Sequence, residues 1–173
     1  MFIKLLGSSF IVFSGTYIGF ALAKQCSDRL ISLRQILSCI VALRSYMNYT
    51  AMELGDSMIQ CASGANRKVA AFFLSIASLL KKNYLITPKE AIIESLKIYK
   101  NQLALTKEDC EVLILFGCNL GQMNKQEQEN YLMMIEKRLE ILEREAANLR
   151  DKNSKMYRYL GICASVLIVL LLI

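Results

Sequence analysis

Histidine and tryptophan are absent from the 173 residues, and proline occurs once, at Pro88. Lacking histidine, the chain has neither the commonest general base nor the commonest metal ligand. A Ser or Cys nucleophile would need another base, and a zinc site would need Cys and carboxylates alone. The single proline leaves few forced breaks, which favours long helices. The six cysteines form no Cys-x-x-Cys pair, and the closest two, Cys110 and Cys118, are eight positions apart. They sit among apolar residues at helical spacing, which reads as small buried hydrophobes in a reduced compartment rather than a disulfide framework. Gly117-Cys118-Asn119-Leu120-Gly121 lacks the Lys-Ser/Thr of a phosphate loop. Glu108, Asp109 and Glu111 cluster, but a solvated helix N-terminus explains them more simply than acid–base chemistry. No residue set offers nucleophile, base and orienting group together. The reading is of a protein that is not an enzyme, with no cofactor, no metal and no small-molecule substrate.

Apolar residues make up 54% of the chain, above the usual globular share, and the excess lies at the two ends. No charge occurs from Leu5 to Ala23, 19 positions against the roughly 20 that a spanning helix needs. A signal peptide is the rival. Lys4 would be its charged start and Ala21-Leu22-Ala23 its cleavage site, but the apolar run exceeds a signal core and cations follow at Lys24, Arg29 and Arg34. At the other end, Tyr159–Ile173 is uncharged. These 15 residues reach about 22 Å, short of a ~30 Å hydrocarbon core, so Arg158 would snorkel or the bilayer thin. A buried core helix is the alternative, yet Val166–Ile173 is apolar on every face.

The cations gather between the two uncharged stretches, after the first at Lys24, Arg29 and Arg34 and before the second at Arg144, Arg150, Lys152, Lys155 and Arg158. By the positive-inside rule the middle of the chain is cytoplasmic and both termini reach the far side. The net charge of +6 therefore belongs beside anionic lipid headgroups, with no aromatic-interleaved basic stripe for nucleic acid. Three segments follow: a transmembrane helix over 1–23, a cytoplasmic bundle over 24–156, and a second transmembrane helix over 157–173.

Between the spans the periodicity is helical throughout. Leu30, Leu33, Leu37, Ile40 and Met47 follow 3-4 spacing, interrupted by Arg44, and the first helix runs on to about Tyr49. A short helix covers about Glu53–Ser63, Gly64-Ala65-Asn66 turns, and Val69, Phe72, Phe73, Ile76 and Leu80 mark one face of a third. Thr87-Pro88-Lys89-Glu90 is a capping box with proline in the first turn, opening a helix to about Lys100 that buries Ala91, Ile92, Leu96 and Tyr99. Thr106 caps the next helix, which carries Cys110, Leu113, Ile114, Gly117 and Leu120 and stops at Gly121. The last helix starts at Asn124 and runs unbroken to the C-terminus. It carries a Leu132, Ile135, Leu139, Leu142, Ala146, Leu149 stripe and a Glu140–Arg144 pairing at i,i+4. The expected fold is all-α: an antiparallel bundle of about six helices whose first and last members continue into the membrane.

Two features point to assembly. Gly15 and Gly19 form a GxxxG extended by Ala23, and Gly161 with Ser165 gives the second span a similar face, so helices can approach closely in lipid. The turn around Gly117 and Gly121, followed by polar Gln122, Asn124, Gln126 and Gln128, is either a plain helical hairpin or a docking surface.

The chain resembles the stage III sporulation protein AB family of endospore-forming bacteria over nearly its whole length. The resemblance lies in Lys4-Leu5-Leu6-Gly7, Gly19-Phe20, Ala23-Lys24 and Arg34-Gln35. It continues in Glu111-Val112-Leu113, Phe116-Gly117-Cys118-Asn119-Leu120-Gly121 and Gln128, and ends in Tyr157, Leu160-Gly161 and the apolar tail. It departs at Tyr46–Leu54, where Tyr49 and Leu54 fit the family's pattern but its acidic residue before the Tyr and the Thr-Pro before the Leu are missing. The resemblance implies a platform component, similar to the inner-membrane platform of type II secretion and type IV pilus machines, in a channel linking mother cell and forespore. It implies residence in the mother-cell membrane around the forespore. The implied partners are lipids, other stage III sporulation A-type membrane proteins and a cytoplasmic secretion-type ATPase, with Phe116, Gly117, Leu120, Gly121 and Gln128 as partner-binding residues. The alternative function is a membrane-anchored adaptor or sensor that dimerises through the Leu132–Leu149 stripe.

Overall fold

The computed structural model describes residues 2–49, 52–82, 85–120 and 124–172, with side-chain environments for 14–49, 52–82, 85–120, 124–153 and 156. Among them are six helices and no strand: α1 (Phe2–Tyr49), α2 (Leu54–Ser63), α3 (Arg67–Lys82), α4 (Pro88–Tyr99), α5 (Lys107–Cys118) and α6 (Lys125–Leu172). The chain divides into two compact units, residues 31–144 and residues 1–30 with 145–173. The larger unit is shorter at both ends than the 24–156 segment drawn from charge.

The helix starts follow local chemistry. At α4, the Thr87 hydroxyl accepts from Glu90 N–H and the Glu90 carboxylate accepts from Thr87 N–H, with Pro88 at the first helical position. These bonds to Thr87 hold the Glu90 carboxyl below its usual range. Thr106 and Asp109 make the same reciprocal pair at α5. Asn66 caps α3 by accepting from Val69 N–H (3.0 Å), and Asn124 caps α6 by accepting from Glu127 N–H (2.9 Å). After α4 the chain reverses through a 6→1 bond from Leu105 N–H to the Lys100 carbonyl and a 5→2 bond from Ala104 N–H to Asn101. Ala104 takes the left-handed position of this Schellman turn at φ 54°, a place glycine usually holds.

In the 31–144 unit the packing is a closed ring of neighbours. Gln35 and Cys39 of α1 reach the α2–α3 turn and α2: Gln35 Oε1 accepts from Asn66 N–H (3.1 Å) and the Cys39 thiol donates to the Cys61 carbonyl (3.5 Å). Lys81 of α3 pairs with Asp56 of α2. Ser95 of α4 donates to Ser75 of α3 (3.0 Å), and Phe72 meets Tyr99 edge-on at 6.5 Å. The Tyr131 hydroxyl of α6 donates to the Leu115 carbonyl of α5. Arg34 pairs with Glu143, and Arg44 with Glu136 and Glu129, so α1 and α6 run antiparallel and close the ring.

The stripes that periodicity marks supply much of the core, but Leu37 and Met47 of α1, Leu80 of α3 and Tyr99 of α4 are only half-buried, and on α1 the unmarked Ile36 and Leu43 join Leu33 and Ile40 inside. Leu33, Ile36, Ile40 and Leu43 of α1, Phe72, Phe73 and Ile76 of α3, Ile92 of α4, Leu113 and Phe116 of α5, and Leu132, Ile135 and Leu139 of α6 are all essentially inaccessible. Leu132, Ile135, Leu139, Leu142 and Ala146 are buried within the single chain, so these positions of the stripe serve as core rather than as a surface open to a second copy. Leu149, expected to extend the stripe, is 44% exposed. Glu140 and Arg144 form no ion pair among the described residues, whereas Glu129, Glu136 and Glu143 of the same helix pair across to α1. Asp109, read as solvated, is fully buried with its carboxylate on Thr106 N–H (2.8 Å), because it lies on the inward face of a helix start whose Thr106, Lys107, Glu108 and Glu111 are exposed.

Candidate assembly surfaces

Three places carry residues that the sequence singles out. The first is the C-terminal end of α5. An added Cβ at Gly117 would meet Ile92 Cδ1 at 2.7 Å and the Lys89 backbone at 2.9–3.0 Å. Here α5 lies directly on the first turn of α4, backbone to backbone, and only glycine fits. Phe116 and Leu120, on either side of that contact, are buried at 1% and 2% exposure. Gln128 is half-buried on α6, its amide donating to the Met47 sulfur at 3.8 Å. The structure brings Phe116, Gly117 and Leu120 together in the interior, while Gly121 lies outside the described residues. Spacing alone cannot separate a glycine that packs on a backbone from one that ends a helix, and Gly117 is the packing kind.

The second place is the α1–α6 seam, which sequence reasoning passed over. Arg44 Nε donates to Glu136 Oε1 (2.8 Å), and Glu129 lies within 3.9 Å of the same guanidinium. Glu136 is 8% exposed, so the pair is largely desolvated and fixes one register of α6 on α1. The signal was present as the single charge inside the α1 apolar stripe. Arg34 Nε donates to Glu143 (2.6 Å), and Gln35 holds the α2–α3 turn. Both therefore have structural work in the bundle. Beside this seam, burial pushes the Cys39 thiol up to about 11 and the Cys61 thiol up to about 12, the nearby Cys39 adding to the shift at Cys61.

The third place is the unit formed by residues 1–30 and 145–173. On α1, Gly19 and Ala23 are buried and Gly15 is half-buried, while Tyr17, Ile18, Phe20 and Leu22 are 42–77% exposed. The small residues face inward and the large apolar ones outward. Gly161 lies where side-chain environments are not described. Among the described residues, Ser14–Tyr49 is the one stretch long and apolar enough to cross a membrane, at a mean hydropathy of 1.3. Its second half forms bundle core, so the exposed band at 17–22 carries the indication of membrane association. No group of His, Cys, Asp and Glu that could hold a metal occurs among the described residues.

The profile of the family described as stage III sporulation protein AB matches residues 4–173. This chain belongs to the stage III sporulation protein AB family. Stage III sporulation protein AB of Bacillus subtilis (strain 168) is 32% identical over 170 residues, which cover 98% of this chain and 99% of that one. A solved structure of stage III sporulation protein AB superposes with a TM-score of 0.66 at 26% identity, covering 72% of this chain and 98% of the other. The family is one of sporulation proteins and not a known enzyme family. The helical bundle is its fold.

Proposed function

We propose that this family member is a non-enzymatic platform in a secretion-like channel between mother cell and forespore, coupling a cytoplasmic ATPase to membrane partners. The observation that carries the reading is the extent of the family match, residues 4–173, which takes in both apolar ends as well as the bundle. In this reading helices over 1–23 and 157–173 cross the mother-cell membrane around the forespore, and both termini lie on the far side. The bundle is cytoplasmic and is the part that meets other stage III sporulation A-type membrane proteins and the ATPase. Exposed Tyr17, Ile18, Phe20 and Leu22 suit lipid, and the inward Gly15, Gly19 and Ala23 suit close helix packing. With Phe116, Gly117 and Leu120 buried, they support a partner surface by holding α5 in place, while half-exposed Gln128 is open to touch one.

The test is affinity isolation of the full chain from detergent-solubilised membranes of sporulating cells. The expected result is recovery of the secretion-type ATPase and small sporulation membrane proteins with the wild type. Recovery of the chain alone overturns the reading.

A further inference from the structure

Opposite the side that α6 commits to the core lies a second apolar side that none of the described residues covers. Asn130, Met133, Met134, Lys137, Arg138 and Ile141 line a groove of about 380 Å³ along it. Their spacing keeps them on one side of the helix over three turns, about 16 Å. Met133 is 39% exposed, Met134 37% and Ile141 57%, whereas Leu132, Ile135 and Leu139 on the other side are at most 1% exposed. Methionine side chains are unbranched and adapt to an incoming apolar surface.

The charges at the middle of this groove tell against several occupants. Lys137 and Arg138 are exposed and make no ion pair among the described residues, and Glu140 one turn on pairs with neither. The cations of α1 behave differently: Arg34 and Arg44 are both matched to carboxylates. A second copy docked centrally through the same groove would set these two cations against their own counterparts. Nucleic acid would find no aromatic platform here, and an anionic bilayer is met by larger clusters of cations than two. An apolar floor with two free cations at its centre is complementary to an amphipathic helix bearing carboxylates beside its apolar residues.

We infer that this outer side of α6 is a docking groove for an acidic amphipathic helix of a partner protein. Apolar residues of that helix, one turn apart, enter between Met133, Met134 and Ile141, and Asp or Glu beside them meets Lys137 and Arg138. The inference rests on the platform reading for the existence of a partner and adds where and by what chemistry it lands.

The experiment replaces Met134 with a photo-crosslinking phenylalanine analogue in the full chain and irradiates sporulating cells. The crosslinked segment is then mapped by mass spectrometry. The expected result is an adduct to a different chain at a helix carrying Asp or Glu, reduced about tenfold or more by Lys137→Glu with Arg138→Glu. Changing the mapped acids to Lys is expected to restore it. Thermal unfolding of the charge-reversed variant is expected to match that of the wild type. An adduct at twice the chain mass, one to lipid or nucleic acid, no adduct, or one indifferent to the charge reversal overturns the groove. If partner recovery survives such a result, only the groove falls; if recovery fails as well, the platform reading falls with it.

Discussion

Gly117 is the residue whose substitution has the most direct consequence. An added methyl lands within 3.0 Å of the Lys89 backbone, which has no rotamer by which to withdraw. Gly117→Ala is expected to cost about 1–3 kcal/mol of stability by overpacking, measured by urea unfolding of the detergent-solubilised chain. Gly64, with open space around an added Cβ and no left-handed φ, is the control and is expected to tolerate Ala. Ser57 argues the other way. Its hydroxyl is buried and, among the described residues, without a hydrogen-bond partner. Ser57→Ala therefore removes an unsatisfied group, and a gain of roughly 1 kcal/mol is expected in the same assay. Cys39 and Cys61 set a pH dependence. Burial favours their neutral thiols, so the stability they contribute is fully present below the ordinary thiol pKa. It is lost as the pH rises through about 11 and 12. At pH 8 a maleimide is expected to leave both unmodified until the chain is denatured.

At the scale of elements, most of the helix plan was legible because it is local. Thr87-Pro88-Lys89-Glu90 states a helix start within four residues, and the structure completes both bonds of the box. The stripes on α1, α3 and α6 are likewise a matter of spacing within one segment. What escaped depends on partners remote in sequence. Arg44 meets Glu136 across 92 positions and Gln35 meets Asn66 across 31. Asp109 read as solvated because nothing local shows that, unlike exposed Glu108 and Glu111, it faces inward. The α6 stripe fitted a dimer as well as a core until the other five helices were placed. The Arg44–Glu136 pair has a measurable worth. Arg44→Ala strands a mostly buried carboxylate and is expected to cost about 1.5–3 kcal/mol, the range for a hydrogen bond to a charged group. The Arg44→Ala, Glu136→Ala double variant is expected to fall short of the sum of the singles, so a double-mutant cycle reads a favourable coupling. Arg34→Ala, at a half-exposed guanidinium, is expected to cost no more than about 1 kcal/mol.

For the whole molecule the testable quantity is sidedness. Protease added to sealed right-side-out vesicles is expected to spare residues 24–156, and the same protease on inverted vesicles to digest their exposed loops. The family and the bundle do not depend on that result, since they stand on the match and the fold; the membrane topology does. The site residues were the least legible part. A motif such as Phe116-Gly117 marks that α5 must sit in one place, while the groove on α6 shows only once burial separates its two sides.

The contact at Gly117 also governs how this part of the chain can move. Where side chains stand between two helices, each can turn a little by repacking them. Between α4 and α5 at Gly117 main chain meets the Lys89 main chain, with Ile92 Cδ1 wedged beside it, so a twist or pull on one is handed to the other with little slack. Amides at the start of α4 and the end of α5 should then open to deuterium together. Anything that grips one limb of this hairpin has hold of both.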